Sequence, residues 1–300
     1  MRNDKLFNYL HLHFIVFIWG FTAVLGALIT LDAIPLVWYR MLLATGIIFL
    51  FLKFRKENLK FPLKTLAGFA VAGIIIALHW LTFFGAIKAS NVSVTLAVLS
   101  TGAFFASLLE PLFYGRKIIL YEVFFGLIVV VGLYIIFDVE TSFALGIVLA
   151  LISAFLSALF SVINGKFVQK NKASTISFYE LMFGVIGISI YLAATGKFTS
   201  EFFAISAADW MYLAILASAC TAYAFIASIH VMKWISPYTV MLTINMEPVY
   251  GIILALLILG ESEKMGPQFY YGAVIILLTV ITNGIIKMTQ ARKRRRLSKT

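Results

Sequence analysis

Charge is scarce in this chain: of 300 residues, 12% are Asp, Glu, Lys or Arg, while 62% are hydrophobic. A soluble domain carries about a quarter charged residues, so water is excluded as the main solvent and a bilayer takes its place. Cysteine is almost missing. Cys220 stands alone, which excludes an intrachain disulfide and a thiolate metal cluster. Alternation of apolar and polar residues is missing too: "LIVVVGLYIIF" (127–137) is apolar throughout, whereas a strand of a membrane barrel alternates. There is no G-x-x-x-x-G-K-[ST] loop for a nucleotide and no HExxH zinc motif. Cys220 has no histidine at a motif spacing, and the loops are too short for the output domain of a sensor. The chain is therefore expected to be neither an enzyme nor a scaffold, and to use no cofactor or metal.

What the chain has is long apolar stretches. Uncharged runs cover 6–31, 65–87, 89–109, 141–165, 210–232 and 265–286. Four further spans hold one charged residue each: 35–52 (Arg40), 118–137 (Glu122), 176–195 (Glu180) and 237–259 (Glu247). Each is near the ~20 residues that cross a ~30 Å hydrocarbon core as helix. The expectation is an all-α polytopic membrane protein of ten transmembrane helices. The first run is longer than the core of a cleaved signal peptide and is read as a retained helix.

With the N-terminus cytoplasmic and the spans alternating, cytoplasmic segments hold 20 of the 24 Lys and Arg; external segments hold only Lys88, Lys197 and Lys264. This positive-inside bias places both termini in the cytoplasm. The net charge of +11 then reports topology rather than nucleic-acid binding, and the tail "ARKRRRLSKT" is a cytoplasmic anchor near anionic lipid.

The chain also repeats itself. "FIWGFTAVLG" (17–26) lies over "FLSALFSVIN" (155–164), and "WYRMLLATGIIF" (38–49) over "FYELMFGVIGIS" (178–189). "AIKASNVSVTL" (86–96) matches the spacing of "VMKWISPYTVM" (231–241), and "GRKIILYEVFFGLIVVVG" parallels "GESEKMGPQFYYGAVIILL". The offset rises steadily from 138 to 146. Five helices per half is an odd number, so the second half enters from the opposite side. Inverted repeats of this kind are the build of secondary transporters, with substrate held near the midplane.

On "IWGFTAVLG", "YRMLLA", "GAIKASNVSVTLAVLSTGAFFASLLEPLF" and "ISPYTVMLTINMEPVYGIILALLILGE", the sequence resembles the EamA-type branch of the drug/metabolite transporter superfamily. The resemblance covers nearly the whole chain. It implies two EamA repeats, 1–137 and 143–286, a basic cytoplasmic tail over 287–300, and transport of small metabolites, often outward, across a bacterial inner membrane. A carrier of amino acids or related amphipathic compounds is expected, as monomer or homodimer, with a small-molecule substrate, the lipid bilayer and a proton as partners. Uptake or exchange by the same fold is the competing reading. The first repeat departs from the pattern: Gly102-Ala103 stands where Glu247-Pro248 stands in the second, Glu110-Pro111 appears eight residues later, and Arg116 replaces the glutamate of Gly260-Glu261.

Glu247-Pro248 interrupts an apolar run about 15 Å from the helix start at Pro237. A charge at that depth costs at least about 2.5–3.5 kcal/mol and should face the bundle interior, and Pro248 cannot donate to the Ile244 carbonyl. Glu247 is read either as the binder of a cation or proton or as a protonated glutamate that holds the fold. Asn245 lies about 200° away around the helix, so the two cannot share one cavity squarely. Trp19, His79, Trp80, Phe83 and Tyr223 are the further candidates for substrate contact, set against packing and an interfacial aromatic belt. Arg40 is expected near the outer end of its helix, snorkelling or capping there, or receiving a substrate carboxylate. Glu180 is expected in a surface ion pair with Lys170 or Lys172, and Glu110 in a gate or structural pair with Arg116 or Lys117. His79 has no second ligand at metal spacing.

Overall fold

The computed structural model describes residues 2–115, 117, 120–139 and 141–297, and among these no residue lies in a strand. The α-helices are α1 (Arg2–Leu28), α2 (Ala33–Phe54), α3 (Leu63–Ala89), α4 (Val92–Leu99), α5 (Gly102–Tyr114), α6 (Leu120–Val139), α7 (Ala144–Phe167), α8 (Ala173–Ala194), α9 (Ser200–Phe203), α10 (Ala207–Ala217), α11 (Ala224–Val231), α12 (Pro237–Ile244), α13 (Glu247–Ile258) and α14 (Pro267–Leu297). Eight segments are long and apolar enough to cross a bilayer, with α4–α5, α10–α11 and α12–α13 each counting as one; Phe124–Ile136 and Pro267–Asn283 are shorter apolar helices. The basic residues from 287 onward continue α14 as far as Leu297. Residues 298–300 and Arg116 lie outside the described residues.

Two rods are broken in their middles, and at matching places. α4 and α12 begin 145 residues apart, at Val92 and Pro237, and α5 and α13 resume 145 residues apart, at Gly102 and Glu247. The causes differ. In the second break Pro248 falls in the first turn of α13, where its missing N–H is harmless. The chain passes through Asn245 and Met246 by tight turns, Asn245 N–H to Leu242 O at 3.3 Å and Met246 N–H to Thr243 O at 3.0 Å. The first break has no proline. There the Ser100 hydroxyl donates to Ala97 O at 2.6 Å and the Thr101 hydroxyl to Val98 O at 2.8 Å. These side chains offer the helix carbonyls an alternative partner, which weakens the ladder.

Packing is reciprocal. α1 lies on α13 while α7 lies on α5; α2 lies on α10 while α8 lies on α3; α6 lies on α14. With lipid outside, such rods are held by close packing rather than by a hydrophobic drive between helices. At the α3–α8 crossing a Cβ on Gly73 would stand 2.4 Å from the Glu180 carbonyl oxygen, so only glycine permits that approach.

One end of the bundle is sealed by polar groups. The Glu263 carboxylate accepts from the first backbone N–H groups of α4, Val92 at 3.1 Å and Ser93 at 2.9 Å, and from the Ser93 hydroxyl at 2.9 Å. This is an anion at a positive helix end, supplied by a residue 170 positions from Ser93. Asp209 accepts from Thr30 N–H at 2.8 Å and the Thr30 hydroxyl at 2.6 Å, and the Lys88 ammonium donates to the Ile29 carbonyl.

Candidate functional site

A cavity of about 60 Å³ lies in the middle of the bundle, with walls from α1, α2, α3, α4, α7, α11, α12 and α13. A water needs roughly 10–15 Å³ by this measure, so the space fits a few waters and must widen to take a metabolite. Its far end is lined by Met232 and Val240, beside the α11–α12 connection and away from the sealed end.

Arg40 is the principal polar group of the wall. It is 1% exposed, so the expected snorkelling or capping role is corrected. About 10 Å into α2, a guanidinium cannot reach water past the helices packed on it. Its Nε donates to the Thr221 hydroxyl at 2.6 Å, and its plane stands 3.9 Å from the Trp80 ring centroid and 5.4 Å from that of Phe84. A desolvated cation over an aromatic face gains about 2 kcal/mol, which offsets part of the burial. Nη1 has no hydrogen-bond partner among the described residues.

Thr221 is available because the backbone between α10 and α11 is wound wide. Ser218–Tyr223 form a π-turn, and the Thr221 hydroxyl donates to Leu216 O, five residues back, at 2.6 Å. The Cys220 carbonyl accepts from Trp19 Nε1 at 3.3 Å. Single π-turns recur at functional positions in helices.

Glu247 faces the same cavity at 6% exposure. Among the described residues its carboxylate has no hydrogen bond, and the ion pairs within 4 Å are Lys172–Glu57 and Lys264–Glu261. Arg40 and Glu247 line the same space, and among the described residues no ion pair joins them. Beside them runs a row of rings: Trp80 lies 5.6 Å from Phe225, and Phe225 stacks on Phe160 at 5.3 Å and 16°. Phe83 lines the wall, and so does His79, whose Nδ1 meets Ser153 O at 2.9 Å. A carbonyl only accepts, so Nδ1 carries the ring proton.

The structure thus brings Trp19, His79, Trp80, Phe83 and Glu247 together and adds Arg40. Asn245 is buried in the break but does not line the cavity, in line with its angular separation from Glu247. Tyr223 points outward, 44% exposed, with His11 Nε2 2.8 Å from its hydroxyl. Glu180 is fully buried, which corrects the surface ion pair: Lys172 pairs with Glu57 at 2.5 Å instead. Glu110 is 3% exposed within α5. Thr22, Phe160, Phe225 and three serines of the wall were missed from sequence, since single small or aromatic residues on apolar helices carry no motif.

An all-helical bundle of membrane-crossing rods, with two rods broken at matching places around a central cavity lined by aromatic and charged side chains, is the build of a membrane transporter. The model of the EamA-like transporter family matches residues 7–138 and again 144–284, so the chain belongs to that family and carries two copies of its repeat. A curated relative from Clostridium kluyveri, an uncharacterized transporter, is 27% identical over 155 residues, 52% of this chain; the match spans 47% of that protein's length. A solved crystal structure of a protein with no further description has the same fold, with TM-score 0.66 and 14% identity over 92% of this chain and 97% of its own.

Proposed function

We propose that the protein is a secondary-active carrier. It moves small organic metabolites, amino acids or related amphipathic compounds, outward across a bacterial inner membrane. The observation that carries this reading is the pair Arg40 and Glu247. They come from different repeats and line one cavity, and Arg40 Nη1 has no hydrogen-bond partner among the described residues. A cargo with an anionic and a cationic group satisfies both, and its apolar part rests on the row of rings.

The wider architecture is read as ten spans in two inverted five-helix repeats, 1–137 and 143–286, with both termini cytoplasmic. The positive-inside bias supports the orientation, and the reciprocal packing supports a two-fold relation between halves. Two halves packed in opposite senses have two near-equal arrangements, one open to each side, and modest differential binding moves the population between them. In this orientation the sealed end is external and the cavity leans towards the cytoplasm.

The test is counterflow in proteoliposomes with pooled labelled amino acids and amines. Protein-dependent exchange is expected. Glu247→Gln keeps the size of the side chain and removes its charge, and should lower exchange by about tenfold or more, the worth of a charge-assisted bond, with folding unchanged by thermal melt. Wild-type-level exchange in that variant removes Glu247 from the site.

A further inference from the structure

Among the described residues, Glu180 is a buried carboxyl group outside the cavity with no cation paired to it. Glu180 and Asn164 are each fully buried. Asn164 Nδ2 donates to Glu180 Oε2 at 3.3 Å, while Glu180 Oε1 and Asn164 Oδ1 have no partner among the described residues. Both orphans are acceptors as long as the carboxyl is ionised, so two polar atoms in the membrane interior go unmet, each at a large cost. A proton on Glu180 supplies the missing donor: an O–H on Oε1 has the Asn164 carbonyl oxygen as the other orphan of the same pair.

Among the described residues, the neighbours supply no counter-charge. α8 packs on α2, α3 and α11. On α2, Arg40 is engaged by Thr221 and Trp80, the Tyr39 hydroxyl donates to Phe202 O and Lys53 is exposed. On α3, His79 is held by Ser153, Lys64 is exposed and Lys88 donates to Ile29 at the other end. On α11, His230 packs on Trp234. On α8 and its flanks, Tyr179 donates to the Leu59 carbonyl, Lys172 pairs with Glu57 and Lys170 is exposed. On α7, Lys166 lies over Phe113 and Tyr114.

The pair nevertheless adjoins the cavity wall. Ser161 and Ile76 line the cavity. Asn164 is one helical turn beyond Ser161, and Gly73, one turn before Ile76, abuts the Glu180 backbone. We propose that the Glu180–Asn164 pair is a proton-binding site, one turn from the cavity wall, through which a proton is taken up and given back as the carrier cycles. The proposal rests on the carrier reading above. It assigns the coupling proton to this pair rather than to Glu247, which lines the same cavity as Arg40.

Two measurements test it. Reconstituted protein is assayed with the pooled labelled amino acids and amines by counterflow at equal pH and by accumulation under a pH gradient. For Glu180→Gln the ratio of gradient-driven accumulation to equal-pH counterflow should fall about tenfold or more, as for loss of an intramembrane proton relay. An unchanged ratio overturns the proposal. Separately, infrared difference spectra of wild type should show a protonated-carboxyl C=O band that is absent in Glu180→Gln, present in Glu247→Gln and shifted in Asn164→Ala. No such band, or a band indifferent to Glu180 and Asn164, also overturns it. Absence of all wild-type exchange sinks the carrier reading instead, and the infrared result then still decides whether the pair binds a proton.

Discussion

Arg40→Gln is expected to lower counterflow by about 100-fold, equivalent to about 2.8 kcal/mol. Glutamine keeps a polar group in the cavity but loses the charge, the planar fork and the cation–π contact with Trp80 at 3.9 Å. Truncating one partner of a buried charge-assisted contact costs about 2–5 kcal/mol, and part of that here is Glu247 left with no opposing charge. Arg40→Lys is the informative companion. An ammonium keeps the charge but neither stacks on Trp80 in the same way nor offers two parallel donors, so recovery should be small. Thr221→Val removes the acceptor for Nε and leaves the charge in place; about a tenfold loss, the worth of one hydrogen bond to a charged group, is expected. The ordering Arg40→Gln, then Arg40→Lys, then Thr221→Val, read as initial exchange rate, separates an oriented receptor from a buried charge of structural value only. Equal losses in all three, together with lowered melting temperatures, contradict the receptor.

Gly73→Val should abolish the folded protein or leave a small fraction of it. A Cβ there would sit 2.4 Å from the Glu180 carbonyl oxygen and 3.1 Å from its Cα. These are backbone atoms, which cannot turn aside as a side chain can, so α3 and α8 must part. Overpacking of this kind costs about 1–3 kcal/mol and more where backbone must shift. Separating α3 and α8 also disturbs the cavity wall from Ile76 to Phe83. Gly46→Ala is the matched control. Nothing stands within 4 Å of the point where its added methyl would fall on α2, and alanine is the better helix former by about 1 kcal/mol, so yield and melting temperature should hold or rise. Monodispersity in detergent reads both.

The break in the second of the two rods was legible in sequence because its cause is local. Pro248 lacks an N–H wherever it stands, whereas the matching break before Gly102, 145 residues earlier, has no proline to mark it. Glu247 was legible because a lone carboxylate in an apolar run needs an interior to face. Arg40 was not. Its burial depends on Trp80 from α3 and Thr221 from the π-turn, and "SACTAY" has neither glycine nor proline to announce the wide winding. Glu180 was misread for a similar reason: Lys170 and Lys172 are close in sequence, yet Lys172 turns to Glu57, 115 positions away. Glu263 at the start of α4 carried no signal, since a helix cap is read from neighbours and its Ser93 donor lies 170 positions earlier. Tyr223 sits mid-rod as its position suggested, but the angle around the rod, altered by the π-turn, turns it to His11 rather than inward.

The most direct measurement concerns access to the cavity from the two sides of the membrane. Ser157 lines the wall, and in a Cys220→Ala background Ser157→Cys places one thiol there. In sealed vesicles of known orientation, a membrane-impermeant thiol reagent applied to either face should label that position, and a transported compound should slow labelling from both. Labelling from one face alone, whatever compound is present, contradicts a cavity that opens alternately between two repeats.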